Sequence, residues 1–435
     1  MMSSRAFQLI LFTGLALRCL LFLVLSPYNP DDHFVIMRHV IEHGVFPKAE
    51  LYTQAYHPPL YYLLSLPLAW FQSAKVAQVL SLALSCSTLW LIARFLQETP
   101  FLKTPRARCA GLALAAFQPQ FVLYGLFISN DTLAFFLGAA LILTLGRYLQ
   151  NPHLRLALLL SLICGLGVAT KGTFLSVLPI VPLVLVLAHR RTAKPITNLL
   201  AALTLLSLAT LAGGAWRFST NYRDYDRLVV HGMDFKPGWM KNQSGTWQGP
   251  GTLLDTNIAK LLRKPHLSAE TRHSVPLLLF ATGWINYMKN ESSFNAAHDH
   301  QWLWLPRSVL TAGLFLTALI TIGACIALRR SVQSPELVLL LLMPVTAIAL
   351  VVMVGLKYDA WSCFHTRLSF HTFPVFCLLL GLALDKFKSR FVSGLTAVAL
   401  LICLASLLVE TVSDLASPAW REHTMHLLKN KLGAP

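Results

Sequence analysis

The residues best suited to chemistry lie in a few short polar islands within an apolar chain. Asp31 and Asp32 follow the first long apolar run, in Ser26-Pro27-Tyr28-Asn29-Pro30-Asp31-Asp32-His33. His57-Pro58-Pro59-Leu60-Tyr61-Tyr62 comes next, then Ser129-Asn130-Asp131-Thr132, Thr170-Lys171-Gly172 and, late in the chain, His365-Thr366-Arg367. Two adjacent carboxylates at a membrane–water boundary suit a general base acting on a lipid-borne substrate. Lys, Arg or His at the same level suit an anionic leaving group. Each island also has a plainer reading. An Asp ahead of a helical stretch is a helix cap, which applies to both acidic motifs. The two prolines after His57 make a rigid turn. Lys171 lies between two apolar runs and can snorkel to the interface, and Arg367 follows the same logic at the start of a late helix. Arg18 lies inside the first apolar run, where an intramembrane Arg needs a partner. A structural pairing, with Asp131 as candidate, is the expectation.

The elements that must position these residues are membrane helices. The chain is 55% apolar and 13% charged, with mean hydropathy +0.58. Apolar runs near 7–26, 76–96, 109–128, 132–150, 155–170, 172–189, 196–216, 307–328, 335–356, 367–385 and 391–410 are each about long enough for a roughly 30 Å hydrocarbon core. The expected fold class is therefore an all-α polytopic integral membrane protein of about 11 transmembrane helices. The first run exceeds a signal-peptide core and reads as a retained helix. The stretch 58–72 is short and broken by Pro58, Pro59 and Pro67, and reads as interfacial or re-entrant.

A net charge of +17 points away from nucleic acid once Lys and Arg are assigned to sides. Arg94, Lys103, Arg106, Arg108, Arg147, Arg155, Arg190, Arg191, Lys194, Arg329, Arg330, Lys386, Lys388 and Arg390 all fall in short loops on the side of the N-terminus. The positive-inside rule makes that side cytoplasmic. The polar islands then gather on the opposite, outer side. Of the eight cysteines, only Cys363 reads as exposed, and a disulfide framework is not expected.

The long outer segment 217–305 carries Trp239, Trp247, Trp284, Trp302 and Trp304. Trp faces stack on sugars and also anchor at headgroups. His298-Asp299-His300 has no fixed metal-ligand geometry, so no metal ligand is assigned and no cofactor is expected, with metal dependence left open by the sequence.

The islands, in this order and on one side, resemble the GT-C membrane glycosyltransferases, in the branch of protein O-mannosyltransferases and the lipid A aminoarabinose transferase. Thr366-Arg367-Leu368-Ser369-Phe370, followed by Pro374, is also similar to a helix start in that family. The resemblance covers about residues 7–190 well and the rest loosely. It implies a GT-C-like bundle with interfacial helices in the first outer loop, a polyprenyl-phosphate sugar as donor and an extracytoplasmic acceptor. Asp31 is implied as base with Asp32 in support, where the family more often has Asp then Glu. His57, Lys171 and Arg367 are implied at the donor phosphate; some relatives have Lys in place of His57. His33, Tyr61, Asn130, Asp131, Trp239, Trp284 and His365 are the substrate-binding candidates. The implied organisation is a catalytic module over 1–216 with its first outer loop at 27–75, a large loop at 217–306, C-terminal helices at 307–410 and an outer tail at 411–435. A ligase or polymerase of the O-antigen type and a lipid or sugar transporter or flippase are the alternatives. The latter puts polar residues on broken helices near the midplane, whereas here only Arg18 lies deep. Sugar, acceptor and host envelope are not readable from these residues.

Overall fold

The computed structural model describes residues 5–25, 32–191, 195–235, 243–268, 270–285, 303–330 and 332–416. Among the described residues the regular structure is helical throughout. In chain order the first helices are α1 (Arg5–Val24), α2 (His33–His43), α3 (Leu60–Ala69), α4 (Ala74–Glu98), α5 (Pro105–Phe117) and α6 (Pro119–Tyr124). Next come α7 (Asn130–Gln150), α8 (Leu154–Val168), α9 (Ile180–Arg190) and α10 (Ile196–Tyr225). Three short helices follow, α11 (Gly251–Leu254), α12 (Ile258–Arg263) and α13 (Val275–Trp284). The last four are α14 (Trp304–Arg329), α15 (Pro335–Tyr358), α16 (Phe373–Lys386) and α17 (Arg390–Ala416).

Eight elements among the described residues are long and apolar enough to cross a membrane: α1, α4, α7, α10, α14, α15, the stretch Trp361–Lys386 that ends in α16, and α17. The chain is an integral membrane protein. The other three expected spans are built from shorter pieces. Residues 155–170 contain α8, and 172–189 contain a 3-10 turn, Gly172–Ser176, ahead of α9. The run 109–128 breaks between α5 and α6 because Pro119 has no N–H for the carbonyl of Ala115. Gln118 restarts the helix by accepting from the Phe121 amide at 2.5 Å.

Arg18 serves that break. Its Nη2 donates to Ala115 O (3.0 Å), its Nη1 to Ala116 O (3.3 Å) and Gly14 O (3.0 Å), and its Nε to Ser85 Oγ (3.0 Å). The expected pairing with Asp131 is not made: the carbonyls orphaned by Pro119 hold the guanidinium, and Asp131 is held by other cations. Cys363 is also corrected. It is buried beside Met233 and Ala360, while Cys19 and Cys325 are the exposed thiols.

Helix α3 has ten residues, about 15 Å of rise, half of a bilayer core. The exposed Trp70 and Phe71 follow it. This is the interfacial geometry expected of 58–72. Helix α10 runs nine residues past the expected end at 216, because Arg217, Asn221 and Tyr225 find partners in neighbouring loops.

The ends of the bundle differ in chemistry. At one end the basic loops meet a few acids. Glu98 binds Arg94 and Arg147, Arg191 binds Glu336, and Asp385 accepts from the Lys103 amide at 2.7 Å and from Thr104. The polar islands lie at the other end. Helix α7 runs through the middle, with 72% of its apolar stretch buried against 17% for the peripheral α10. Close backbone approach needs glycine at Gly138, where a Cβ would strike the backbone of His371.

Candidate active site

Helix α7 begins at the centre of the polar end. Ser129 caps it, its Oγ accepting from the Asp131 amide at 3.2 Å. Asp131 therefore sits in the first turn, where the helix dipole favours a carboxylate. Lys171, in extended backbone between α8 and the Gly172–Ser176 turn, donates from Nζ to Asp131 Oδ1 at 2.6 Å. The two side chains are 5% and 3% exposed, so each charge depends on the other for solvation. Arg367 enters from the Thr366–Thr372 turn, with Nε 3.8 Å from Asp131 Oδ2 and Cζ 4.6 Å from the Tyr124 ring centroid. His365 fixes that turn. Its Nδ1 accepts from the Arg367 amide (3.4 Å), and its Nε2 lies 3.1 Å from Tyr124 Oη. One buried carboxylate thus holds two cations, an excess of positive charge suited to an anion.

His33, the first residue of α2, joins this group from the side. Its Nε2 lies 3.3 Å from Ser129 Oγ, which itself donates to Asp131 Oδ2 at 3.3 Å. Its Nδ1 lies 3.0 Å from Tyr62 Oη, which donates to Gln54 O at 3.2 Å. The His57 ring lies parallel to that of His33 at 6.5 Å and packs on Tyr56 at 4.1 Å. Burial, then Lys171 and His33, hold the His57 imidazole well below its ordinary pKa, so it is neutral. Tyr61 is buried under His33, its hydroxyl 3.4 Å from Ser81 Oγ.

The site is roofed. Tyr56 Oη lies 3.3 Å from His231 Nε2, and the His231 ring stacks on Tyr358 at 4.9 Å. Asp234 accepts from Tyr358 Oη and from the His231 amide, both at 2.9 Å. Burial, opposed by Asp234, pushes the His231 pKa down to about 4. Arg217 of α10 donates to the carbonyls of Ala55 and Tyr56, clamping the segment that carries His57. Asp359 accepts from the amides of Gly245 (2.8 Å) and Trp247 (2.7 Å).

The structure therefore brings His33, His57, Asp131, Lys171, His365 and Arg367 into one cluster. Asn130 lies beside them in α7, fully buried, with neither side-chain amide atom hydrogen-bonded. Asp32 adopts a left-handed backbone (φ 64°) and does not cap α2 with its side chain. Its Oδ2 accepts from the Thr53 amide at 3.3 Å. Trp284 is not brought to the cluster: it is buried against Gly313, and its Nε1 donates to Thr317 Oγ1 at 3.2 Å. Asp31, Trp239 and His298-Asp299-His300 lie outside the described residues. Sequence reasoning missed Tyr124, Tyr56, Tyr62 and His231. Tyr56 precedes a named motif and Tyr62 closes it, whereas Tyr124 reads as one more aromatic in an apolar run.

Residues 57–212 match the family profile of dolichyl-phosphate-mannose-protein mannosyltransferases. Among solved structures, the archaeal oligosaccharyltransferase AglB from Archaeoglobus fulgidus, in complex with an inhibitory peptide and a dolichol-phosphate, matches at a TM-score of 0.50. The identity is 12%, over 94% of this chain and 55% of that one. ArnT from Cupriavidus metallidurans bound to undecaprenyl phosphate matches at 0.41, with 12% identity over 87% of this chain and 77% of that one. The Saccharomyces cerevisiae protein O-mannosyltransferase Pmt1-Pmt2 complex bound to the sugar donor matches at 0.38, with 15% identity over 54% and 36%. The chain thus spans 36% and 55% of the yeast and archaeal chains. No curated protein matches the sequence. The profile match is confined to residues 57–212, and the likeness to the archaeal structure is one of helical fold.

Proposed function

We propose that this chain transfers a sugar from a polyprenyl-phosphate donor to an acceptor hydroxyl, with inversion, at the extracytoplasmic face of the plasma (inner) membrane. The observation that carries the reading is the buried Asp131 with Lys171 and Arg367 on its two oxygens. A lipid-linked sugar phosphate brings its anion to headgroup level, where these cations are expected. A dolichol-phosphate in the archaeal structure supports a lipid-phosphate substrate here.

In this mechanism the bond between the anomeric carbon and the phosphate oxygen breaks, and its electron pair leaves with the polyprenyl phosphate. The acceptor oxygen bonds to the opposite face of the anomeric carbon, and its proton passes to the base. Asp31 is the base. Asp32, occupied by the Thr53 amide, supports it. Asp131 is engaged by two cations and serves to hold them. Lys171 and Arg367 stabilise the leaving phosphate, and the neutral His57 contributes a hydrogen bond. The stretch around His231 covers the site and meets the acceptor.

The test uses the purified chain with a radiolabelled polyprenyl-phosphate sugar. Lys171→Ala and Arg367→Ala should each weaken donor binding roughly 10- to 100-fold, the scale of a hydrogen bond to a charged group. Lys103→Ala, at the other end of the bundle, should leave it unchanged. Transfer from a nucleotide sugar without lipid, or normal donor binding by both variants, would overturn the reading.

A further inference from the structure

The hydrogen bonds around His33 carry a charge assignment. A hydroxyl has one proton to give. Tyr62 donates its proton to Gln54 O, so its oxygen can only accept from His33 Nδ1. Ser129 donates its proton to Asp131 Oδ2, so its oxygen can only accept from His33 Nε2. Both contacts are then donated by His33, and an imidazole that donates from both nitrogens is an imidazolium. A neutral tautomer breaks the chain on one side or the other. We infer that His33 is held protonated and, through Ser129 and Asp131, completes a cation cluster matched to a phosphate that gains charge during transfer.

This deepens the proposed function and rests on it. With His33 charged, the positive excess of the group built on Asp131 rises from one to two. A polyprenyl-phosphate sugar is a phosphodiester with one negative charge. The polyprenyl phosphate released by breaking the anomeric bond is a monoester with two. The base takes the acceptor proton and loses its negative charge as the phosphate gains one, so the total is conserved while charge moves toward the cations. A doubly positive cluster fits the departing phosphate better than the bound donor. That difference accelerates the reaction and does not merely tighten binding.

Among the described residues, the groups facing His33 are consistent with this. From α3 come the hydroxyls of Tyr61 and Tyr62, and from α7 Ser129 and Asp131. The His57 ring opposes it in parallel from the 44–59 segment, and Asp32 precedes it in the chain. Lys171 and Arg367 face it across Asp131. His33 acts through Ser129 and Asp131, and is a positioning residue.

Two measurements on the full chain test the inference. In histidine-15N-labelled protein, the ring signals lost in His33→Gln should be those of a doubly protonated imidazolium at pH 7. A neutral-tautomer signature there overturns the inference, whatever the enzyme's substrate. In transfer assays, His33→Gln should lower kcat about 10- to 100-fold, with donor KM changed by less than about threefold. Wild-type kcat should fall at alkaline pH as His33 loses its proton, and that fall should be absent from the variant. Loss confined to KM, or an unchanged pH profile, also overturns it. If the wild type transfers nothing from polyprenyl-phosphate sugars, the proposed function fails and the NMR result alone decides the charge on His33.

Discussion

Lys171 Nζ and Asp131 Oδ1 meet at 2.6 Å although 40 residues separate them in sequence, and both side chains are almost wholly buried. Removing one partner of such a pair leaves the other charge unsolvated, at a cost of about 3–5 kcal/mol. Asp131→Asn should lower the thermal midpoint in detergent and abolish transfer. Adding Lys171→Met should restore much of the midpoint without restoring transfer. Recovery of both together would mean that the pair has no role in turnover.

Gly138 couples packing to the site. A Cβ there would enter the backbone of His371, in the same turn that carries Arg367. Overpacking of this kind costs about 1–3 kcal/mol. Gly138→Ala should fold less stably and raise donor KM severalfold, because Arg367 moves with its turn. Donor titration of the variant checks this, and an unchanged KM would uncouple the two.

Arg18 separates stability from catalysis. Arg18→Met keeps an apolar stem but strips the carbonyls of Ala115 and Ala116 of their donors. The expected loss is about 2–4 kcal/mol. Below the melting transition, kcat and donor KM should match the wild type. A large kcat defect in folded Arg18→Met would move this residue into the mechanism.

His231 sets a pH dependence. Its pKa falls from the ordinary 6.5 to about 4 in the fold. Between those values the unfolded chain binds a proton that the folded chain refuses, so stability is full above pH 6.5 and falls as pH drops toward 4. The loss approaches about 3 kcal/mol. Thermal midpoints at pH 7.5 and 5 should therefore differ more for the wild type than for His231→Gln. Equal differences would remove His231 as a source of the acid sensitivity.

Sidedness is open to chemical labelling. In a background free of native cysteines, Leu254→Cys lies on the exposed α11 and Lys103→Cys in an exposed turn at the other end. An impermeant thiol reagent applied to spheroplasts should label position 254 at once and position 103 only after permeabilisation. The reverse pattern would invert the topology.

Much of the site was legible because charged and imidazole side chains are rare in an apolar chain and must be satisfied. His33, His57, Asp131, Lys171, His365 and Arg367 all stand at the ends of apolar runs, and burial forces them on one another. Tyr124 left no such mark, since a tyrosine in an apolar run costs nothing to explain as packing. The helical spans were legible from length and hydropathy. The break at Pro119 was not, because apolarity continues across it, and with it went the true partners of Arg18. The role of Gly138 depends on which backbone crosses it, which only the tertiary fold decides. Trp284 shows the converse: an aromatic suited to sugar stacking is used to fill the gap left by Gly313.

The roof formed by Tyr56, His231, Tyr358 and the segments fastened to Asp359 bears on a side reaction. Water is the most abundant nucleophile available to an activated sugar, and an open cleft would hydrolyse the donor. Here Asp131, Lys171, His57 and His365 are all shut away from solvent before any substrate arrives. On the proposed function, a sugar entering from the lipid would meet a site screened from bulk solvent until its acceptor binds. Under the proposed reading, the same stitching that buries these charges would favour transfer over hydrolysis of the donor.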